Sequence, residues 1–252
     1  MLVAVFAPVI TGGVDPTAGN LSDALIAPGG DHIFGTDKLG RDIFTRVIYG
    51  ARTSLVAAFA VVILAFCIGT LLGILAGYFG KVVDAIIMRI ADMMIAFPGM
   101  ILAIAVAGIM GASIRNAVIA IALVTWPKYA RLARSLVLKI RDRDYVSAAI
   151  VTGSKTPYML IKYMLPAAIT TLVITAATDI GSMMLELAGL SFLGFGAVPP
   201  TPEWGLMLSE GRAYMTAAPW LMIFPGISIF LVVVVFNMLG DSLRDILDPR
   251  SE

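Results

Sequence analysis

The chain has 252 residues, of which 59% are hydrophobic and 14% charged, with a net charge of +1. Mean hydropathy is +0.94. Soluble domains carry about 25% charged residues, so this chain has too little charge to cover a water-exposed surface, and its near-zero net charge gives no general attraction for nucleic acid. A single cysteine, Cys67, excludes an intrachain disulfide framework. One histidine, His32, is too little for a His/Cys metal cage.

Met1–Ile10 is apolar, too short to span a bilayer, and lacks the basic flank and cleavage site of a signal peptide. It is expected to be the remnant of a first transmembrane helix. Residues 11–49 are polar and turn-rich, with Gly12-Gly13, Asp15-Pro16 and Pro28-Gly29-Gly30. Within and just beyond them, Ile43, Phe44, Val47 and Ile48 fall at helical spacing, which predicts a short interfacial helix over Gly40–Arg52.

A spanning helix needs about 20 mostly apolar residues. Five stretches qualify within residues 50–240: Thr53–Gly80, Met93–Ile114, Asn116–Pro127 continuing toward Leu138, Leu165–Leu190 and Ala213–Gly240. Gly69, Gly73 and Gly77 recur every fourth residue, a spacing that permits close helix contact. The expectation is an all-α polytopic membrane protein of about six transmembrane helices, the first truncated.

Orientation follows from basic residues. Lys128, Arg131, Arg134, Lys139, Arg141, Arg143, Lys155 and Lys162 lie between Trp126 and Leu165, more than in any other connection, so this connection is expected to be cytoplasmic. The segment from Gly196 to Ala213 and residues 11–49 are then outside. Lys81–Asp92 and the tail 241–252 are inside.

The basic connection, residues 139–165, carries the most information. Asp142 or Asp144 can cap a short helix, and Gly153 suits its stop. A second short helix is predicted from Pro157 to Met164, since proline costs nothing in a first turn. A basic loop held near lipid headgroups is the simpler alternative. Tyr145, Ser147, Ala148, Ala149, Gly153, Leu165 and Pro166 resemble the coupling loop of ABC-importer permeases, whose pattern is Glu-Ala-Ala, three residues, Gly, nine residues, Ile, one residue, Leu-Pro. Ser147 stands for the Glu and Tyr163 for the Ile. Gly35-Thr36-Asp37-Lys38-Leu39-Gly40-Arg41-Asp42, Ser191–Gly196, Pro200–Gly205 and Phe236–Pro249 are similar to other signatures of the dipeptide/oligopeptide/nickel branch.

The resemblance implies a MetI-like, type I importer permease. It implies half a channel, pairing with a second permease subunit, two ATPase subunits that bind ATP with magnesium, and an external substrate-binding protein, in a bacterial or archaeal plasma (inner) membrane. The chain itself would carry no cofactor and no catalytic residue. The stretch Asp179–Gly194 is most similar to the nickel-type C permease, so nickel, as a chelate, is the expected substrate, with di- or oligopeptides as the alternative. Asp179, Met183, Met184 and Glu186 are the candidate pathway residues, with no tightly bound metal. Asp179 and Glu186 share a helix face about 10 Å apart, and a carboxylate at membrane depth should face a pore or a partner. The alternative for Asp179 is a hydrogen bond to a neighbouring helix or a pair with an arginine of the second permease. Met183 and Met184 are equally suited to plain packing. A secondary transporter and an intramembrane enzyme are the rival classes; the first ordinarily needs two repeats, the second a nucleophile–base pair or metal cluster.

Overall fold

A computed structural model describes residues 5–247. The expected first-span residues 1–4 and the tail signature at Asp248-Pro249 lie outside them. Among the described residues three helices are long and apolar enough to cross a membrane: Ile43–Phe79 (α1), Thr156–Phe192 (α6) and Trp220–Ile246, the last ending in a helix that runs to Leu247 (α8). Lys81–Ile95 (α2) and Gly99–Met110 (α3) form a broken pair bent by 94°. Ile114–Arg141 (α4) is 28 residues long and continues through Pro127. Two short helices complete the set, Asp144–Val151 (α5) and Trp204–Gly211 (α7). Ala7–Ile10 is a single helical turn.

All five predicted spans are helical over most of their length, and four of them differ in how they are cut. The predicted interfacial helix over Gly40–Arg52 and the span from Thr53 form one 37-residue helix, because no breaker separates Arg52 from Thr53. That helix ends at Phe79, where Gly80 takes a φ of 63° that other residues resist. The predicted single span Met93–Ile114 is split at Pro98, whose ring disfavours a helical Phe97. The segment Lys81–Asp92, expected on the inner side, is helical as part of α2. The last span begins at Trp220, seven residues beyond the predicted Ala213, since a 3-10 turn at Arg212–Tyr214 and Pro219 intervene. α4 has the length to span, yet it carries Arg115, Lys128, Arg131, Arg134, Lys139 and Arg141.

The chain divides into two compact units. The first comprises Met1–Ala60, Ala103–Ile121 and Ile180–Phe236. Its core joins Ile43, Val47, Ala51 and Leu55 of α1 to Met184, Ala188, Trp204 and Leu221. The Trp204 indole N–H donates to the Val47 carbonyl at 2.9 Å. Glu203 is 1% exposed and caps α7, accepting from the Gly205 and Leu206 N–H groups at 3.0 and 2.8 Å and from the Ser54 hydroxyl at 3.1 Å. A carboxylate there also complements the helix dipole.

A second buried polar cluster anchors the start of α1. Asp37 accepts from the Leu39 and Arg41 N–H groups at 2.8 and 3.0 Å and from Arg41 Nε at 2.5 Å. Arg41 Nη2 and Arg46 Nη2 both donate to Glu210, at 3.2 and 3.1 Å. Arg46 Nη1 donates to the Pro16 and Pro200 carbonyls, each at 3.3 Å. The motif Gly35–Asp42 is therefore a folded plug that buries two cations against two carboxylates.

The second unit comprises Val61–Leu102, Ala122–Asp179 and Asn237–Glu252. Here Gly69, Gly73 and Gly77 of α1 lie against Trp126, Tyr129, Ala130, Ala133 and Val137 of α4. The backbones approach so closely that a methyl group on Gly73 would sit 2.3 Å from the Ala130 carbonyl oxygen. Arg134 pairs with Asp84 and Arg131 with Asp92, tying α4 to α2. Arg141 Nη1 donates to the Gly77 carbonyl at 3.1 Å.

Candidate functional site

The predicted coupling segment forms two structures of different kinds. Asp144–Val151 is a free-standing helix between Arg143 and Thr152. Neither Asp142 nor Asp144 caps it; Arg143 occupies the cap position without a side-chain bond and Asp144 is the first helical residue, where its charge still suits the helix N-terminus. The helix stops at Gly153, with φ of +82°. The Ser154 N–H donates to the Ala149 carbonyl at 3.0 Å and the Gly153 N–H to the Ile150 carbonyl at 2.9 Å. This pair of bonds is the Schellman closure, which needs a left-handed residue at Gly153.

The predicted second short helix is the first part of α6. Thr156–Met159 is α-helical, Leu160–Met164 widens to a π turn, and Leu165–Phe192 continues without a break. Pro166 offers no N–H and its ring crowds the preceding turn, and a π turn is a common way to absorb such a mismatch inside a helix. Leu165 and Pro166 thus belong to the start of the spanning part of α6.

Burial divides α5 into two faces. Val146 and Ala149 enter a core with Val137, Met159, Met164 and Leu172. Tyr145, Ser147 and Ala148 are exposed, and Ile150 and Val151 are 53% and 88% exposed. The Tyr163 ring meets those of Tyr145 and Tyr158 at 6.0 and 6.1 Å, and Lys162 donates to the Tyr158 hydroxyl. The result is a small-residue helix with an apolar, aromatic-flanked outer face.

The second unit also holds a buried charged centre. Asp179 is 5% exposed. Lys128 Nζ donates to its two oxygens at 2.6 and 2.8 Å, and the Tyr129 hydroxyl donates to Oδ2 at 2.9 Å. Of the two alternatives for Asp179, the structure shows the hydrogen bonds to a neighbouring helix. Lys128, expected to add to the basic connection, is a mid-helix ion-pair partner, and Arg131 and Arg134 are likewise paired. Sequence inspection missed this centre because its members are 51 residues apart. The signal was present: Lys128 follows Pro127 within a helix-forming stretch, far from either end, as Asp179 does.

The other candidate pathway residues belong to the first unit. Met184 is fully buried in its apolar core and Met183 is buried; Glu186 is partly exposed. Among the described residues no group of three or more His, Cys, Asp or Glu side chains is arranged to hold a metal ion.

Long apolar helices, a glycine-lined helix contact and ion pairs that tie buried charges together are the features of a polytopic membrane protein of mostly helical fold. Residues 69–252 match the family described as binding-protein-dependent transport system inner membrane component. The chain is 47% identical over 250 residues to the dipeptide transport system permease of Alkalihalophilus pseudofirmus, covering 99% of this chain and 82% of the relative. It is 43% identical over 236 residues to the nickel transport system permease of Escherichia coli strain K12, covering 94% and 85%. In fold it is similar to a chain of the MetNI methionine ABC transporter solved in inward-facing conformations, with a TM-score of 0.65 at 17% identity, over 81% of this chain and 97% of that one. The chain belongs to this inner-membrane permease family, in the dipeptide/oligopeptide/nickel branch of ABC importers. The expected preference for nickel gains no support from these identities, which favour the dipeptide-type relative.

Proposed function

We propose that this chain forms half of the translocation pathway of an ATP-driven importer of di- or oligopeptides. The observation that carries the substrate assignment is the charged centre. A path for a metal cation would need an available carboxylate, and both Asp179 oxygens are taken by Lys128 Nζ at 2.6 and 2.8 Å. The exposed member of the pair is the ammonium, which offers a hydrogen-bond donor to a carboxylate and no ligand to a divalent ion. The 47% identity to a dipeptide permease adds support.

The partners in this proposal are a second, related permease, two ATPase subunits and an external binding protein. ATP and magnesium are bound by the ATPases, and this chain supplies no catalytic group. The helix Asp144–Val151, with Tyr145, Ser147 and Ala148 outward, docks in a groove of an ATPase subunit on the cytoplasmic side, where the C-terminal tail also lies. Gly153 fixes the helix end, and Leu165 and Pro166 connect the moving helix rigidly to α6. Asp179 in the second unit and Glu186 in the first are the pathway residues of this proposal, and Met183 and Met184, both buried, serve the first unit by packing.

The test is uptake of labelled alanyl-alanine and of labelled nickel by the complete importer in proteoliposomes. ATP-dependent dipeptide accumulation without nickel accumulation is expected. Nickel uptake alone would reverse the substrate assignment.

A further inference from the structure

Lys128 lies midway along α4, and its ion-pair partner Asp179 lies within the spanning helix α6, about 20 Å from its Phe192 end at a rise of about 1.5 Å per residue. The Lys128 side chain is 54% exposed while its ammonium is held by a buried carboxylate. A charged group exposed to hydrocarbon at that depth is costly, so such groups face a water-filled cavity or a partner. The rest of the helix selects the cavity. Arg131, Ser135 and Lys139 are also exposed, and with Lys128 they fall at spacings of three and four, on one helix face. Tyr129, Ala130, Ala133 and Val137 are buried on the opposite side. A helix with a polar stripe from its middle to one end, bonded to the spanning helix α6 through Lys128 and Asp179, is built to line water.

The ammonium at position 128 is held in place. Asp179 Oδ1 and Oδ2 accept from it at 2.6 and 2.8 Å, and Tyr129 donates to the same carboxylate at 2.9 Å. An ammonium has three donors, so two can serve Asp179 and one remains toward the cavity. The local charge of the pair is balanced, which keeps the attraction for an anion weak enough to allow release, as a pathway requires.

We infer that Lys128 is a substrate-contacting residue of the pathway, donating to the terminal carboxylate of a dipeptide as it passes the middle of the membrane. Asp179 and Tyr129 are positioning residues that hold its ammonium. This inference rests on the peptide-import proposal.

Alanyl-alanine is the probe, because its only carboxylate is the terminal one. The complete importer is reconstituted, and dipeptide accumulated per ATP hydrolysed is measured. For Lys128→Met, which leaves the buried Asp179 without its cation and so lowers the amount of complex assembled, dipeptide per ATP hydrolysed by the complex that does assemble falls at least about fivefold. Lys128→Arg, which keeps the cation, retains at least about half. A purely structural pair would lower hydrolysis and uptake together and leave the ratio unchanged. An unchanged ratio in Lys128→Met, or equal losses in the two variants, overturns the assignment. Wild-type complex gives a second reading that does not depend on a variant assembling. A water-soluble acylating reagent applied from the cytoplasmic side should modify Lys128, detected by mass spectrometry, and millimolar alanyl-alanine should slow it at least about threefold. No modification, or modification indifferent to dipeptide, overturns the assignment as well. A wild-type importer that moves nickel and no alanyl-alanine overturns the peptide proposal, and the role of Lys128 with it, before any variant is compared.

Discussion

Replacing Gly73 by alanine tests whether the close contact of α1 with α4 holds the second unit together. The added methyl carbon would lie 2.3 Å from the Ala130 carbonyl oxygen and 2.7 Å from the Ala133 Cβ. Ordinary contacts lie at about 3.5–4.0 Å, so the helices must part by about 1 Å. Neither obstacle can rotate away, because one is backbone and the other is fixed to it. A gap of that size forfeits a quarter to a half of the dispersion attraction along the row, and overpacking of this kind costs about 1–3 kcal/mol. Alanine recovers up to about 1 kcal/mol through its better helix propensity, leaving a net loss of up to about 2 kcal/mol. Gly226→Ala is the control, since a methyl there meets nothing within 4 Å and should be neutral or stabilising by up to about 1 kcal/mol. Unfolding in mixed detergent micelles, followed by circular dichroism against SDS mole fraction, measures both. Equal stability of the two variants would refute the role given to the glycine row.

How far the fold was legible in the sequence depended on whether the deciding interaction was local. The helix Asp144–Val151 was legible because its end is set within a few residues: Gly153 is the residue that tolerates a φ of +82°. The glycine row at 69, 73 and 77 was legible as spacing, although its partner helix was not. Helix cuts were less legible. The Gly40–Arg52 segment runs into the first span without a break, and its Arg46 is drawn into a cluster with Glu210, 164 residues away. The charge at Arg52, after which the uncharged run Thr53–Gly80 begins, instead suggested a boundary. The motif Gly35–Asp42 stood out as a pattern, while its physical purpose, the burial of Arg41 and Arg46 against Asp37 and Glu210, required the tertiary structure. Asp179 was singled out by the cost of its charge at membrane depth. Its partner Lys128 was grouped with the basic connection that follows, because a bond between residues 51 apart leaves no local pattern; the nickel expectation came from the short stretch Asp179–Gly194, which the 47% identity to a dipeptide-type relative over 250 residues outweighs.

Two further substitutions separate architecture from coupling. Arg46→Met removes a cation that is 1% exposed and leaves Glu210 and two carbonyls short of a donor, which should cost about 3–5 kcal/mol in the same detergent titration; a loss under about 1 kcal/mol would mean that water already reaches the cluster. The Gly153 pair tests the docking proposal with backbone strain controlled. A methyl at Gly153 meets nothing within 4 Å, so a bulky side chain there clashes with no atom of this chain. Asparagine tolerates the left-handed conformation that the Schellman closure needs, while most other residues lose about 1–2 kcal/mol in it. Gly153→Asn should therefore keep ATPase stimulation by loaded binding protein within about twofold of wild type. Gly153→Trp should keep the permease in the membrane but uncouple it, with ATP hydrolysis no longer responding to loaded binding protein, because the indole projects from the end of the outward face of Asp144–Val151. Strain alone would destabilise the variant without selecting the coupled step. Normal stimulation in Gly153→Trp would show that no ATPase surface closes over this helix end, and the docking site would have to lie elsewhere on the cytoplasmic side.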